Sequence, residues 1–243
     1  VVDTIRINKF FTQQGICSRR EADRLVESGR VTINGRLAKI GDQVKPGDVI
    51  ARDGQVIPWG VAAIYIRYHK PVGVTTTSEA HVPRNIIAEI GHSERIFPIG
   101  RLDKDSSGLI LLTNDGDIVN EILRTEHGHE REYEVTLDRP YDEAFLGRMA
   151  SGVVILGART KPCRTARLSP KQFRIILTEG RNRQIRRMCQ TLGYRVVALH
   201  RIRIMHVTLA GLPAGSWKPL TRDEKAELFR TIGRDPSGSK WSG

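Results

Sequence analysis

Cysteine is scarce: three residues in 243, far apart at Cys17, Cys163 and Cys189, are too few and too scattered for a disulfide framework. No Cys-x-x-Cys pair suggests zinc or redox work, so they read as reduced, partly buried thiols. His127 and His129 stand two apart without nearby cysteines and read as surface residues rather than metal ligands. Long apolar runs are also missing. None approaches the roughly 20 residues a spanning helix needs, and residues 1–11 lack the apolar core of a secretion signal. The expectation is a soluble, cytoplasmic chain with no membrane partner and no metal.

The third scarcity is local. Between residues 159 and 203 stand thirteen Lys and Arg against a single acid, Glu179, which accounts for the whole net charge of +12; the rest of the chain balances. With a sequence pI near 10.0, the partner expected is a polyanion, and nucleic acid is favoured over membrane. Solvated charged faces usually mix signs, so this stretch is expected to face phosphate.

What is present begins with a small module. Ile7, Phe10 and Phe11 have helical spacing, and Gly15 ends that helix. Ser18 with Glu21 three residues on reads as a capping box opening a second helix. Its buried side is Ala22, Leu25 and Val26; Arg19, Arg20 and Arg24 point outward. Residues 31–33, Asn34-Gly35 and residues 36–39 read as a hairpin, because Asn and Gly accept the positive φ of a tight turn. The runs Arg6-Ile7-Asn8-Lys9-Phe10, residues 15–22, residues 29–35 and Val44-Lys45-Pro46-Gly47-Asp48 resemble the S4 RNA-binding domain, two helices on a short sheet. That resemblance implies that Lys9, Arg19, Arg20 and Arg30 grip RNA backbone by shape and charge. Pro58-Trp59-Gly60 reads as a linker.

Beyond it, strands are expected at 64–68, 109–113, 132–137, 173–177 and 204–209. Helices are expected at 118–123, 142–149 and 183–192, and from a second capping box, Thr221 with Glu224, to 229. Strands come in groups, so the fold class is α+β with a mainly antiparallel mixed sheet. The organisation expected is a module over 1–58, a second domain over 61–232, and a disordered tail from 233 to 243.

Asp103 lies in residues 99–108, Ile-Gly-Arg-Leu-Asp-Lys-Asp-Ser-Ser-Gly, on a loop entering an apolar strand. Asp103, Asp105, Ser107 and Gly108 match the opening of a calcium loop, but its twelfth position is Asn114, not a bidentate carboxylate. Two carboxyls serving a glycoside hydrolase would stand across a sugar, which neighbours two apart in a loop do not predict. A single ionised carboxylate acting on a nucleoside sugar is the remaining option. On the helix from Arg183, Ile185, Met188, Cys189 and Leu192 form one apolar face, so Arg183, Arg187 and Gln190 point to solvent and Arg186 falls on the boundary. Arg186 could pair with a partly buried carboxylate. It could equally belong to a plain amphipathic basic helix.

Lys70-Pro71-Val72-Gly73, Gly100-Arg101-Leu102-Asp103 with Ser107-Gly108-Leu109, Arg131-Glu132-Tyr133-Glu134-Val135 and residues 180–188, Gly-Arg-Asn-Arg-Gln-Ile-Arg-Arg-Met, resemble the RNA pseudouridine synthases. The similarity is to the branch named after the small-subunit ribosomal enzyme, whose members carry an S4 domain, and within it to members modifying large-subunit ribosomal RNA. The resemblance implies a flipped uridine, with Asp103 adding to C1′ or removing a proton at C2′. It also implies Arg186 orienting Asp103 through a salt bridge, Tyr133 stacking on the base and helping remove the C5 proton, and Arg101 filling the gap. Arg183 and Arg187 would hold phosphate. No cofactor is implied, and the partner would be structured RNA, ribosomal or transfer, bound by a monomer. The rivals are a non-catalytic RNA-binding or ribosome-assembly factor and an RNA methyltransferase; the latter would need a glycine-rich nucleotide turn, which is absent.

Overall fold

A computed structural model describes residues 4–235. The tail expected to be disordered therefore lies, from residue 236 on, outside the described residues.

The N-terminal module packs helices Ile7–Gln13 and Arg19–Glu27 against a four-stranded antiparallel sheet of Arg36–Leu37, Val31–Ile33, Ile50–Arg52 and Gln55–Ile57, in that order. Ile7, Phe10, Phe11, Ala22, Leu25 and Val26 are buried in one cluster, as their spacing predicts. Asn34 and Gly35 both take positive φ, 51° and 80°, which closes the tight hairpin turn. Two details depart from expectation. Ser18 Oγ accepts the Glu21 N–H at 3.2 Å, but the Glu21 carboxylate turns to Arg24 at 3.3 Å, so only half the capping box forms. Trp59 is no free linker residue: its ring lies 4.6 Å from that of Phe10 and its indole N–H donates to the Asp48 carbonyl at 2.8 Å.

The rest is built on one nine-stranded sheet. Its main path runs Arg164–Ser169, Gln172–Leu177, Arg131–Leu137, Val196–Ile204, Ser107–Thr113, Tyr65–Lys70 and Trp217–Pro219; Phe97–Ile99 and Val207–Thr208 pair off this path. Expected elements appear within two residues of their predicted ends, with one exception. The strand expected at 204–209 is really Val196–Ile204, after which Met205 takes a positive φ of 52° and Val207–Thr208 folds back. The basic residues Arg201 and Arg203 hide its alternation, because both turn into the sheet region instead of solvent, Arg203 onto Glu132 and Arg201 onto the Leu109 carbonyl.

Helices Glu143–Ala150 and Gln184–Thr191 cover one end of the sheet, over a core that includes Phe145, Met149, Phe173, Met188 and Cys189. Among the strands of this sheet one pairing is parallel: Val196–Ile204 with Ser107–Thr113, in register at His200 with Ser107 and Arg201 with Gly108. The loop carrying Asp103 enters the sheet at this seam.

Candidate active site

Residues 101–106 form a loop held by its backbone. Thr76, buried, donates its hydroxyl to the Leu102 carbonyl at 2.7 Å and accepts the Leu102 N–H at 3.3 Å. The Gly73 N–H donates to the Lys104 carbonyl at 2.8 Å. Lys70, with no exposed surface, donates to the Ser106 carbonyl at 2.7 Å and to that of Pro71 at 2.9 Å. Burial pushes its ammonium down to about 8, although the charges of Asp105 and Asp103 oppose that shift. These bonds fix Asp103 on a preset base, and its side chain stays half-buried.

Arg183 joins the two carboxylates of the loop. Its guanidinium donates to Asp103 Oδ2 at 3.0 Å and to both oxygens of Asp105, at 3.2 and 3.0 Å. Chiefly through these bonds, with Arg186 adding its charge, the Asp105 carboxyl is held below the usual range despite partial burial. Arg183 stands just before the helix Gln184–Thr191, at φ 50° and ψ 36°, a left-handed conformation uncommon outside glycine. The turn is built by buried Glu179, which accepts from Lys161 N–H, Arg181 Nε and Gln184 Nε2, and by Gln184, which accepts the Arg181 N–H.

Asp103 and Arg183 stand at a cleft of about 500 Å³ that is also lined by Tyr133, Arg131, Arg201, Ile99, Leu111, Ile122 and Leu199. Tyr133 is in register with Arg201, whose guanidinium carbon lies 5.9 Å from the centre of the tyrosine ring. A carboxylate on a rigid lip, a cation bonded to it, and an aromatic ring beside an apolar wall suit a planar base and its sugar.

The family profile described as RNA pseudouridylate synthase matches residues 64–191, and that of the S4 domain matches residues 5–50. The chain belongs to the RNA pseudouridylate synthase family. It is 52% identical over 239 residues to the dual-specificity RNA pseudouridine synthase RluF of Escherichia coli K12, covering 98% of this chain and 82% of that protein. It is 32% identical to the ribosomal large subunit pseudouridine synthase B of Bacillus subtilis, over 92% of this chain and 95% of that one. A solved pseudouridylate synthase structure superposes with a TM-score of 0.68 at 30% identity, covering 92% of this chain and 99% of its own.

Within this synthase the predicted residues fall into three groups. Asp103, Tyr133, Arg101 and Arg183 share the cleft, and Arg101 is exposed with no side-chain partner among the described residues. Arg186 is placed differently from expectation. It does not bond Asp103; it donates to the Asp105 carbonyl at 2.9 Å, Ser106 Oγ at 3.2 Å and the Val196 carbonyl at 3.1 Å, and meets the Asp105 carboxylate at 3.3 Å. Arg186 is partly buried, as its boundary position predicts, but Arg183 precedes the first helical residue, so helical periodicity does not say where it points. Arg187 folds back on Asn182, bonding its carbonyl and its side chain at 3.1 and 3.2 Å.

In the S4 module Arg19 and Arg20 are exposed and carry no hydrogen bond or ion pair among the described residues. Lys9 and Arg30 are engaged within the chain. Lys9 pairs with Asp117 at 2.9 Å, beside a bond from Gln13 to the same carboxylate at 3.3 Å, so this helix is tied to the synthase domain. Arg30 forks onto Asp53 at 2.8 and 2.6 Å.

The one-signed stretch is partly matched within the chain. Four of its arginines meet acids from residues 130–143: Arg203 with Glu130 at 3.0 Å and Glu132 at 2.6 Å, Arg174 with Glu134 at 2.8 Å, Arg167 with Glu143 at 2.8 Å, and Arg164 with Glu130. Antiparallel pairing brings a strand rich in glutamate beside strands rich in arginine, which sequence distance concealed. Among the described residues no three His, Cys, Asp or Glu side chains gather as a metal site requires. Burial raises all three thiols, Cys163 to about 11 and Cys189 to about 12, which leaves them poor nucleophiles.

Proposed function

We propose that this chain isomerises a specific uridine of structured RNA to pseudouridine, with Asp103 as the catalytic carboxylate and large-subunit ribosomal RNA as the main substrate. What carries the reading is Asp103 on a backbone-clamped loop, bonded to Arg183 at 3.0 Å, at a cleft shared with Tyr133. Arg183 orients the carboxylate, while Arg186 holds the loop from behind. Tyr133 stacks on the uracil of a uridine flipped from its helix, and Arg101, whose side chain has no partner among the described residues, fills the space it leaves. Isomerisation imports no group and moves no net electrons, so no cofactor is required.

The words large subunit in the name of the Bacillus subtilis relative support the ribosomal substrate. The words dual-specificity in the name of the Escherichia coli relative agree with more than one target, and transfer RNA is the second we propose. The test is to map pseudouridines in ribosomal and transfer RNA with and without the gene. Loss of a defined site is expected; unchanged maps would overturn the reading.

Residues 1–58 serve as an RNA grip and residues 61–232 as the catalytic domain of a monomer in this proposal. Changing Arg19 and Arg20 together to Ala is expected to weaken RNA binding and to reduce the salt slope by about 1–2, since each phosphate contact releases roughly one counterion. Affinity measured across a salt series checks this, and an unchanged slope would remove the pair from the interface.

A further inference from the structure

The floor of the cleft holds positive charge that no acid among the described residues pairs with. Asp103 and Asp105 are matched by Arg183 and Arg186. Arg131, 9% exposed, and Arg201, 3% exposed, line the same cleft and form no ion pair among the described residues. Their bonds go to backbone carbonyls: Arg131 Nη2 to Ile122 at 3.2 Å, Arg201 Nε to Leu109 at 2.7 Å and Nη1 to Arg101 at 3.4 Å. Arg201 Nη2 has no hydrogen-bond partner among the described residues. Arg131 Nη1 lies 3.8 Å from where a Cβ on Gly180 would stand, at the head of the turn that presents Arg183. Two buried like charges are expensive to keep, and apolar walls make their field stronger than it would be in water.

We propose that Arg131 and Arg201 form an anion site that takes the negative charge of the departing uracil, an assignment that rests on the function proposed above. The phosphates of a flipped nucleotide remain in the RNA strand at the mouth, where exposed Arg101 and Lys104 stand; the part that reaches the floor is the base. When N1–C1′ breaks, both electrons leave with the ring and give a monoanion shared by N1, O2 and O4. C1′ is meanwhile held by an Asp103 oxygen or left in the double bond formed when Asp103 takes the C2′ proton. The anion turns and C5 bonds to C1′, either as the bond from C1′ to the Asp103 oxygen breaks or as Asp103 returns its proton to C2′; the C5 proton is then lost and N1 gains one, so nothing is consumed. On either route the leaving ring is anionic, and two fixed guanidinium groups lower that barrier without reorganising.

The test compares Arg131→Met and Arg131→Lys with wild type on large-subunit ribosomal RNA transcribed with uridine or with 5-fluorouridine. Fluorine stabilises the ring anion by itself. Single-turnover loss of the ordinary nucleoside is followed by nuclease digestion and mass spectrometry, and RNA affinity is measured in parallel. Arg131→Met is expected to slow the uridine substrate by about 10²-fold, the usual loss for one preorganised donor. On 5-fluorouridine the loss should shrink by at least about tenfold, with affinity within about threefold of wild type and the lysine variant in between. Because each protein is its own reference across the two substrates, partial misfolding cancels. Equal losses on both substrates, no loss, or a fall in affinity matching the fall in rate, as a phosphate contact would give, each overturns the anion site. Absence of wild-type turnover would overturn the proposed function as well.

Discussion

Asp103→Asn is expected to slow isomerisation by at least about 10⁴-fold, because it removes the group that must either attack the sugar or take its proton. The substitution keeps size and shape. An asparagine oxygen can still accept from Arg183, which bonds Asp105 as well, so the turn before the helix Gln184–Thr191 should stay in place. The loop does not depend on the carboxylate either: Thr76, Gly73 and Lys70 hold it by backbone carbonyls and amides. RNA affinity should be unchanged or slightly tighter, since one negative charge is removed from a protein of net charge +12. Tritium release from RNA labelled at uridine C5 reports the rate, and filter binding reports the affinity. Turnover within about tenfold of wild type would remove Asp103 from the chemistry.

What the sequence disclosed about this site depended on the range of the interaction. Local chemistry was legible: Asn34-Gly35 specified its turn, the apolar spacing of Ile185, Met188 and Cys189 specified the buried face of their helix, and Thr221 with Glu224 formed its full capping box. Asp103 was legible as a loop carboxylate before a buried strand. Partners across the fold were not. A helical projection sends Arg183 to solvent, but the residue stands one position before the helix, and its left-handed backbone turns it toward Asp103 instead. Lys9 and Arg30 carry the signature of a basic surface, yet Asp117 and Asp53 occupy them. Glu132 and Glu134 lie outside the basic stretch in sequence and beside it in the sheet. Arg131 and Arg201 gave no signal of their own: a buried arginine without an acid looks like any other arginine until burial is known.

Gly108→Ala is expected to have the other large effect, and it acts through the sheet seam. An added Cβ would lie 2.2 Å from the Arg201 carbonyl oxygen and 2.5 Å from its nitrogen, and both are backbone atoms of the adjacent strand with no rotamer to yield. The residue also has φ +114°, a conformation L residues rarely adopt. The strands Val196–Ile204 and Ser107–Thr113 must separate where they pair in parallel, at the point that carries Asp103 on one side and Arg201 on the other. A loss of about 4 kcal/mol or more follows from strain and broken pairing together. Gly41 supplies the comparison: it has φ +88° but open space around its Cβ position, so Gly41→Ala should cost only about 1 kcal/mol of backbone strain. Denaturant unfolding of the two variants separates the terms, and any folded Gly108→Ala protein should have lost isomerisation along with the seam. If the two alanine variants are equally stable, close approach of the strands is not why glycine stands at 108, and the position of Asp103 is secured by the bonds of Thr76, Gly73, Lys70 and Arg186 to its loop.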